Sequence, residues 1–424
     1  MLRRILLELS RVILGSVFVV SGVFKATDPM GASLKITDYI SSALGSSWVW
    51  LVELSMFVAI LLCILEFMLG AMLLMGIYRR IVTRASFALM VGMTLVTLYI
   101  YWTGVLPDCG CFGDVIKLSN GASLIKNLIL LPLSYALMVS ARSLGHLFSR
   151  RERWLPAALA LLGISYFIYQ NYYYLPYKDL RPYRIGYNLR EKIEEDEAAY
   201  QAALFEGTKY IYKRDGREQG FNLDALPDSS WTYVRLEQDD QLKSYKPTYF
   251  FELRNDRGDH MEDEILQDSI GTILLLSISW VKADQRRLSE INELYRYAKH
   301  KGYNFYGVSA STPEEEAEWR YQTGADYPIL FADASTIKTM VRANPALILL
   351  KKGVIKDKIS VAMLPSLEQL SDYVESRMVG SKTSLPSRTR LLPLVVWGLI
   401  LGLALLRIVA RRLNILGYKA RQDD

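Results

Sequence analysis

Long apolar runs fill the first 174 residues and recur once near the C-terminus. A helix needs roughly 20 apolar residues to cross the hydrocarbon core of a bilayer. By that measure the chain has six candidate spans, at 10–26, 49–77, 82–103, 122–141, 154–174 and 389–410. Between 175 and 388 the pattern becomes that of a water-facing domain. It opens with proline-rich extended chain, passes into a charged helix, and then forms a hairpin turning at Asp215-Gly216. From 246 the reading is a strand, a turn at Asn255–Gly258 and another short strand. GTILLLSISW is a continuous apolar run suited to a buried central strand. A helix follows at about 283–301 by its apolar spacing, then the strand YNFYGVSAS. The next helix is capped by Thr312 with Pro313 at its first position. YPILFAD, a short helix, the strand ALILLKKGVI and a helix near 365–378 complete the order. Strands alternating with helices predict an α/β domain.

The charges orient the spans. Arg3 and Arg4 precede the first. Arg79, Arg80 and Arg84 lie between the second and third, and Arg142, Arg150, Arg151 and Arg153 between the fourth and fifth. Arg411, Arg412, Lys419 and Arg421 follow the sixth. All fall on one side of a six-span topology, and loops rich in Lys and Arg stay in the cytoplasm. The expectation is a multi-pass protein of a bacterial inner membrane with both termini cytoplasmic. Segments 27–48, 104–121 and 175–388 would then lie outside. Glu8 and Arg11 interrupt the first apolar run and no A-x-A site follows, which argues against a cleaved signal peptide. Tyr166–Tyr177 reads as an interfacial aromatic belt where the fifth span leaves the bilayer.

The net charge of +6 therefore belongs to membrane topology and gives no reason to expect nucleic acid as a partner. Three cysteines and three histidines among 424 residues are too few for a disulfide-stapled fold or a Cys/His metal cage.

Two of those cysteines define the candidate chemistry. Cys109 and Cys111 stand in LPDCGCFGD, directly after the third span and on its outer side. Gly110 between them permits the backbone angles a tight ring needs. A Cys-x-Cys disulfide closes a small, strained ring, and strain makes a disulfide more oxidising. Such a pair at the membrane surface is placed to pass electrons between a protein thiol and a lipid-soluble quinone. A static disulfide fixing the loop and a soft-metal site are the competing readings. Cys63, inside the second span, reads as a small buried hydrophobe. Three residues on, and on the same helix face, Glu66 is a carboxylate within the hydrocarbon. Intramembrane carboxylates are costly and commonly functional. A proton relay or quinone contact is one expectation for Glu66, and a structural hydrogen bond to another span is the other. Lys25 and Asp28 are expected to pair at the outer end of the first span.

Two resemblances add to this. The order of the outer domain, with Trp280 closing a buried strand and Asn344-Pro345 entering another, resembles a thioredoxin-like fold of the membrane-linked thiol-reductase type. In that family a Cys-x-x-Cys follows the tryptophan, at a helix N-terminus. Here the segment reads Trp280-Val281-Lys282-Ala283-Asp284, so the resemblance implies a domain without its own dithiol. Pro345, with Trp280, is then expected to shape a peptide groove; the competing reading is that Pro345 only terminates a strand edge. The first half resembles the DoxX-like superfamily and specifically the MauE (methylamine utilisation) family. Arg11, Gly15, Phe18, Ser21-Gly22, Lys25 and Asp28-Pro29 carry that likeness. So do Glu66-Phe67-Met68-Leu69-Gly70, Tyr78-Arg79-Arg80, Cys109-Gly110-Cys111-Phe112-Gly113 and Asn127. The resemblance implies help in maturing a disulfide-containing periplasmic protein, with DoxX relatives associated with thiosulfate:quinone oxidoreduction.

The fold expected is thus an α-helical integral membrane bundle plus an α/β thioredoxin-like domain. Its divisions are a four-helix membrane domain at 1–145, a fifth span at 146–174, a linker or small subdomain at 175–245, the thioredoxin-like domain at 246–380, and a C-terminal span and tail at 381–424. The functional expectation is a thiol–disulfide component acting through Cys109 and Cys111. Glu66 is its candidate proton relay, quinone its candidate acceptor, and a periplasmic client its partner. The alternative is a non-enzymatic membrane scaffold whose outer domain binds partners.

Overall fold

The computed structural model of the chain describes residues 2–44, 49–104, 110, 112–113, 116, 118–145, 148, 153–174, 182–239 and 251–379. The chain divides into two compact units, one running to Leu180 and the other from Arg181 to Thr383.

The first unit is helical: α1 (Leu2–Thr27), α2 (Pro29–Leu44), α3 (Val49–Glu53), α4 (Ser55–Met75), α5 (Arg79–Thr103), α6 (Asn120–Val139) and α7 (Trp154–Tyr173). Helices α1, α4, α5 and α6 are long and apolar enough to cross a membrane, and they fall on the first four expected spans. Helix α7 occupies the place of the fifth but is not among the helices apolar enough to count as a span. Its last turns carry Gln170, Asn171 and two tyrosines, which dilute its apolar character, and it packs inward through Ala160, Ile164 and Ile168. The expected sixth span lies outside the described residues. Outward-facing positions are apolar as well: Leu61, Leu95, Ile125 and Ile129 are each more than half exposed. An apolar exterior over a core of Leu14, Phe18, Leu73, Met90 and Leu137 suits hydrocarbon as the solvent.

Small residues bring α1 and α4 together. A Cβ on Gly70 would lie 2.6 Å from the Gly15 carbonyl oxygen, and one on Gly22 would lie 2.7 Å from the Phe67 nitrogen. Such contacts are how helices associate in lipid, where no hydrophobic drive separates helix from solvent.

Helix α2 was not expected, because 27–48 read as an external loop. Its start is nevertheless a capping signature. Asp28 Oδ1 accepts from Gly31 N at 2.9 Å, and Pro29 takes the first helical position.

The arginines gather at one end. Arg3 and Arg4 from the start of α1, Arg80 and Arg84 from the start of α5, and Arg142 after α6 line one cleft of about 840 Å3. Because α1 and α5 both begin there, Lys25 and Thr97 near their far ends lie toward the opposite end of the bundle.

In the second unit, α8 (Leu189–Gly207) leads into a small sheet of β1 (Thr208–Arg214), β2 (Arg217–Phe221) and β3 (Thr232–Gln238), in the order β2-β1-β3. The expected hairpin turn is present, with Asp215 at φ 49° and Gly216 at φ 78°. Paired positive φ values match the right-handed twist of the strands on either side. The chain continues through α9 (Glu262–Gln267), β4 (Thr272–Ser277), α10 (Leu288–Lys301), β5 (Asn304–Ser309), α11 (Pro313–Thr323), β6 (Ile329–Phe331), α12 (Ala334–Met340), β7 (Ala346–Lys351), β8 (Val354–Ser360) and α13 (Leu367–Val379). These five later strands form a second sheet in the order β6-β5-β4-β7-β8. Strand β4 is central and buried at every position. It runs parallel to β5 and antiparallel to β7. Thr312 caps α11 in a full capping box with Glu315.

Three expectations change. The strand expected from 246 reduces, among the described residues, to one bridging residue, Arg254, which pairs with Phe331 and His260. The short strand expected after the Asn255–Gly258 turn is helix α9. ALILLKKGVI is not one strand but most of a hairpin: Lys352 (φ 51°) and Gly353 (φ 70°) turn the chain between β7 and β8. The chain leading into α8 packs on the larger sheet. Leu189 N donates to Gly353 O at 2.7 Å, and Ile355 N donates to Tyr187 O at 2.9 Å.

Candidate functional site

Cys109 and Cys111 lie outside the described residues, but the glycines and phenylalanine interleaved with them do not. Gly110 and Gly113 both take φ 59°, and Gly113 N donates to Gly110 O at 3.0 Å, closing a tight turn. The turn sits against α1, α2 and α5. Phe112 packs beside Ile100, meets Phe24 edge-on at 6.4 Å, and carries the Lys126 ammonium 4.7 Å above its ring. The stem of Lys35 lies against Gly110 so closely that a Cβ there would be 2.5 Å from Lys35 Cδ and 3.5 Å from Lys35 Nζ. Glycine between the two cysteines therefore has a packing reason as well as a conformational one. The lysine ammonium also stands beside the cysteine-bearing loop, and a neighbouring cation favours the thiolate form of a cysteine.

Glu66 is fully buried at the α1–α4 interface. Its carboxylate is held by two side chains of α1. Ser21 Oγ donates to Glu66 Oε2 at 2.6 Å, and the Lys25 ammonium pairs with Oε1. Lys25 therefore turns inward to Glu66 and not to Asp28. Cys63, one turn away on α4, is wholly buried and is a free thiol. Asn127, at the start of α6, is also buried, and its Nδ2 donates to Thr97 Oγ1 at 2.7 Å. Ser21, Lys25 and Asn127 are all residues of the family pattern, but nothing in that pattern told which of them touch. Lys35 and Lys126 carried no signal beyond falling in or near outer loops.

Lys25, the partner of Glu66, and Gly110 of the glycine turn line a common space. A cavity of about 350 Å3 lies between α2, α4 and α5, with Lys25, Lys35, Thr97 and Gly110 in its lining.

In the second unit the Asn344-Pro345 peptide is cis, and its asparagine is bonded to the end of the central strand. Asn344 Oδ1 accepts from Ser277 Oγ at 2.7 Å and from Ile278 N at 3.0 Å. Trp280 is not a groove wall. It is 1% exposed and stacks on Trp319 with ring centroids 4.7 Å apart. Its neighbour Val281 is the residue that faces out. Residues 280–282 make a 3-10 turn after the central strand. Asp284 follows, its N donating to Asn344 O at 3.1 Å and its carboxylate gripped by Arg286. That hydrogen bond from Arg286 outweighs partial burial and holds Asp284 below the usual carboxylate range.

Together these features define a helical module with four helices fit to cross a membrane, a glycine turn and a buried Lys–Glu pair, and a second unit that is an α/β domain built on a five-stranded sheet. Residues 3–141 match the family described as "Methylamine utilisation protein MauE", and residues 207–240 match a domain of unknown function, DUF8463. Among solved structures, the chain is similar to a candidate protein disulfide isomerase from Bacteroides thetaiotaomicron, at 14% identity and a TM-score of 0.23. That likeness covers 30% of this chain and 86% of the other. No curated protein matches the chain.

Proposed function

We propose that the chain is a membrane thiol–disulfide exchange component of the bacterial inner membrane. Cys109 and Cys111 are its redox pair, and the second unit lies on the periplasmic side. The observation that carries this reading is the anchored turn at Gly110–Gly113, with Lys35 against the residue between the two cysteines. A loop held on three helices beside a cation is a preorganised place for a reactive dithiol.

In the forward direction, a thiolate of a periplasmic client attacks the Cys109–Cys111 disulfide. A mixed disulfide forms, and the client's second thiolate resolves it. The client leaves oxidised and the pair is left as a dithiol. The dithiol then gives two electrons and two protons to a quinone, and the disulfide returns with a quinol as the other product. Glu66, paired with Lys25 and hydrogen-bonded by Ser21, is the candidate group for moving one of those protons. The second unit, which has no cysteine, presents the client through its surface near the exposed Val281, since Pro345 itself is buried.

One observation favours the scaffold alternative. Val281 and Asp284 stand where a Cys-x-x-Cys following Trp280 would carry its cysteines, so the second unit performs no exchange itself. Acid trapping with thiol alkylation and mass spectrometry, on native membranes with and without added quinone, separates the two readings. The expected result is a mixed population of the Cys109–Cys111 pair that shifts toward disulfide with quinone. A pair fixed in one state under every condition leaves the scaffold.

A further inference from the structure

The cavity between α2, α4 and α5 is graded from end to end. Along α5 it runs from Ala88 to Thr97, roughly 14 Å of helix at 1.5 Å per residue. The deeper wall is apolar, with Leu62 of α4 and Leu89 and Met93 of α5. Polar groups collect where α5 approaches its C-terminal end: Thr97, Lys35, the Gly110 backbone and Lys25, whose charge is paired with Glu66. The side of the cavity is low. Ala88 and Gly92 are exposed, and a Cβ on Gly92 would meet no atom within 4 Å. Val58 and Val96, which flank this slot, are 42% and 49% exposed. The cavity therefore opens sideways, on the same outward face that the bundle presents to hydrocarbon.

We infer that this cavity binds an isoprenoid quinone, ring toward Lys35 and Gly110 and tail leaving through the slot at Gly92. A quinone ring is neutral and its two carbonyls only accept hydrogen bonds, so it needs few donors and apolar walls. That is the composition found here, at a volume in the usual range for small-ligand pockets. An anionic headgroup would need a cluster of cations, and the bundle has one elsewhere, in the five-arginine cleft at the other end. The inference rests on the thiol–disulfide reading for its chemistry. Two thiols lose two electrons and two protons as their S–S bond forms, and the ring takes up both as its carbonyls become hydroxyls. The Lys35 contact to Gly110 gives the two half-reactions a common wall.

The test is photolabelling of the full-length chain in phosphatidylcholine vesicles with an azido-ubiquinone, competed by decylubiquinone and mapped by mass spectrometry. Label is expected on 88–97 or on 32–39. Gly92→Phe, whose side chain enters the slot, is expected to cut competable labelling about tenfold, the equivalent of about 1.4 kcal/mol. Lys35→Met is expected to weaken it as well. Ile129→Phe, on a lipid-facing position of α6, serves as the control for added bulk. All variants are first checked for monodisperse elution. Labelling elsewhere, or undiminished labelling in monodisperse Gly92→Phe, overturns the inference. So does competition by phosphatidylglycerol but not by decylubiquinone.

A second arm separates this from the parent reading. The Cys109→Ser/Cys111→Ser chain is expected to bind the probe as the native chain does. If decylubiquinone reoxidises the native pair equally fast in Gly92→Phe, the cavity assignment falls and the thiol chemistry stands. If the serine chain binds quinone in a Gly92-dependent way while the native pair never changes state, the thiol chemistry falls and the cavity stands.

Discussion

Lys25 and Glu66, 41 residues apart in the chain, form an ion pair that is almost completely buried between α1 and α4, with side-chain exposures of 7% and 0%. Each charge is tolerable there only because of the other, and Ser21 supplies the second hydrogen bond to the carboxylate. Removing one partner of a buried pair leaves an uncompensated charge, at a cost of about 3–5 kcal/mol. Glu66→Gln and Lys25→Met are therefore each expected to lower the midpoint of thermal aggregation in detergent, and Lys25→Met/Glu66→Gln is expected to recover most of the loss. If the pair also moves protons, the double variant stays folded but reoxidises Cys109 and Cys111 more slowly in quinone. Unchanged reoxidation would discard the relay.

The approach of α1 to α4 is set at Gly70. Gly70→Leu must push against the Gly15 carbonyl and the Val19 nitrogen, both backbone atoms that cannot swing away. Overpacking of this kind costs about 1–3 kcal/mol or more. The variant is expected to elute as aggregate. By contrast Gly92→Ala, whose new methyl meets open space, is expected to remain monodisperse.

In the second unit Trp280 and Trp319, stacked on each other, are the largest fully buried side chains among the described residues. Trp319 Nε1 also donates to Tyr327 OH at 3.0 Å. Trp319→Ala removes the stack and strands that hydroxyl, for an expected loss of about 3–5 kcal/mol. Near-ultraviolet circular dichroism during urea unfolding of the full chain would read it directly. Trp319→Phe should cost less, because it keeps a ring over Trp280.

Asp284 gives that unit an acid-sensitive contact. Its folded-state pKa lies below the ordinary value, about 3.9 for aspartate. The stabilisation is therefore complete above that pH and disappears as pH falls through the lower, folded value. Asp284→Asn is expected to be less stable than the native chain at neutral pH, and the difference should narrow as the solution is acidified below pH ~4. A gap that stays constant down to acid would show that Arg286 does not act through the charge.

Much of this was legible in the residues, and the exceptions have physical causes. Four apolar runs became helices because nothing but length and hydropathy decides a span. Thr312-Pro313 with Glu315 announced α11 by local chemistry alone. Helix α2 carried the same kind of signal in Asp28-Pro29, but its weak amphipathic face was masked by the stronger spans around it. Trp280 was expected at a groove, because sequence tells that a residue ends a strand and not whether a second tryptophan covers it. The hairpin at Lys352-Gly353 was hidden because Lys351 and Lys352 interrupt an apolar run no more than a strand edge would. For Lys25, Asp28 was near in sequence while Glu66 was near in space. The glycine turn could be read from its spacing, but its neighbour Lys35 comes from a helix that sequence had treated as loop.

The outermost strands of the five-stranded sheet are both met by chain from outside it. Phe331 of β6 exchanges backbone bonds with Arg254, and Ile355 of β8 is bonded by Gly186 and Tyr187. Exposed strand edges template pairing with other chains. A protein tethered to a bilayer meets its own copies in two dimensions, where crowding makes such templating more frequent than in free solution. Margins covered at these residues leave less edge for neighbouring copies to pair with. They also bear on recognition: where Phe331 and Ile355 are already bonded, a partner is held by side chains and not by an added strand.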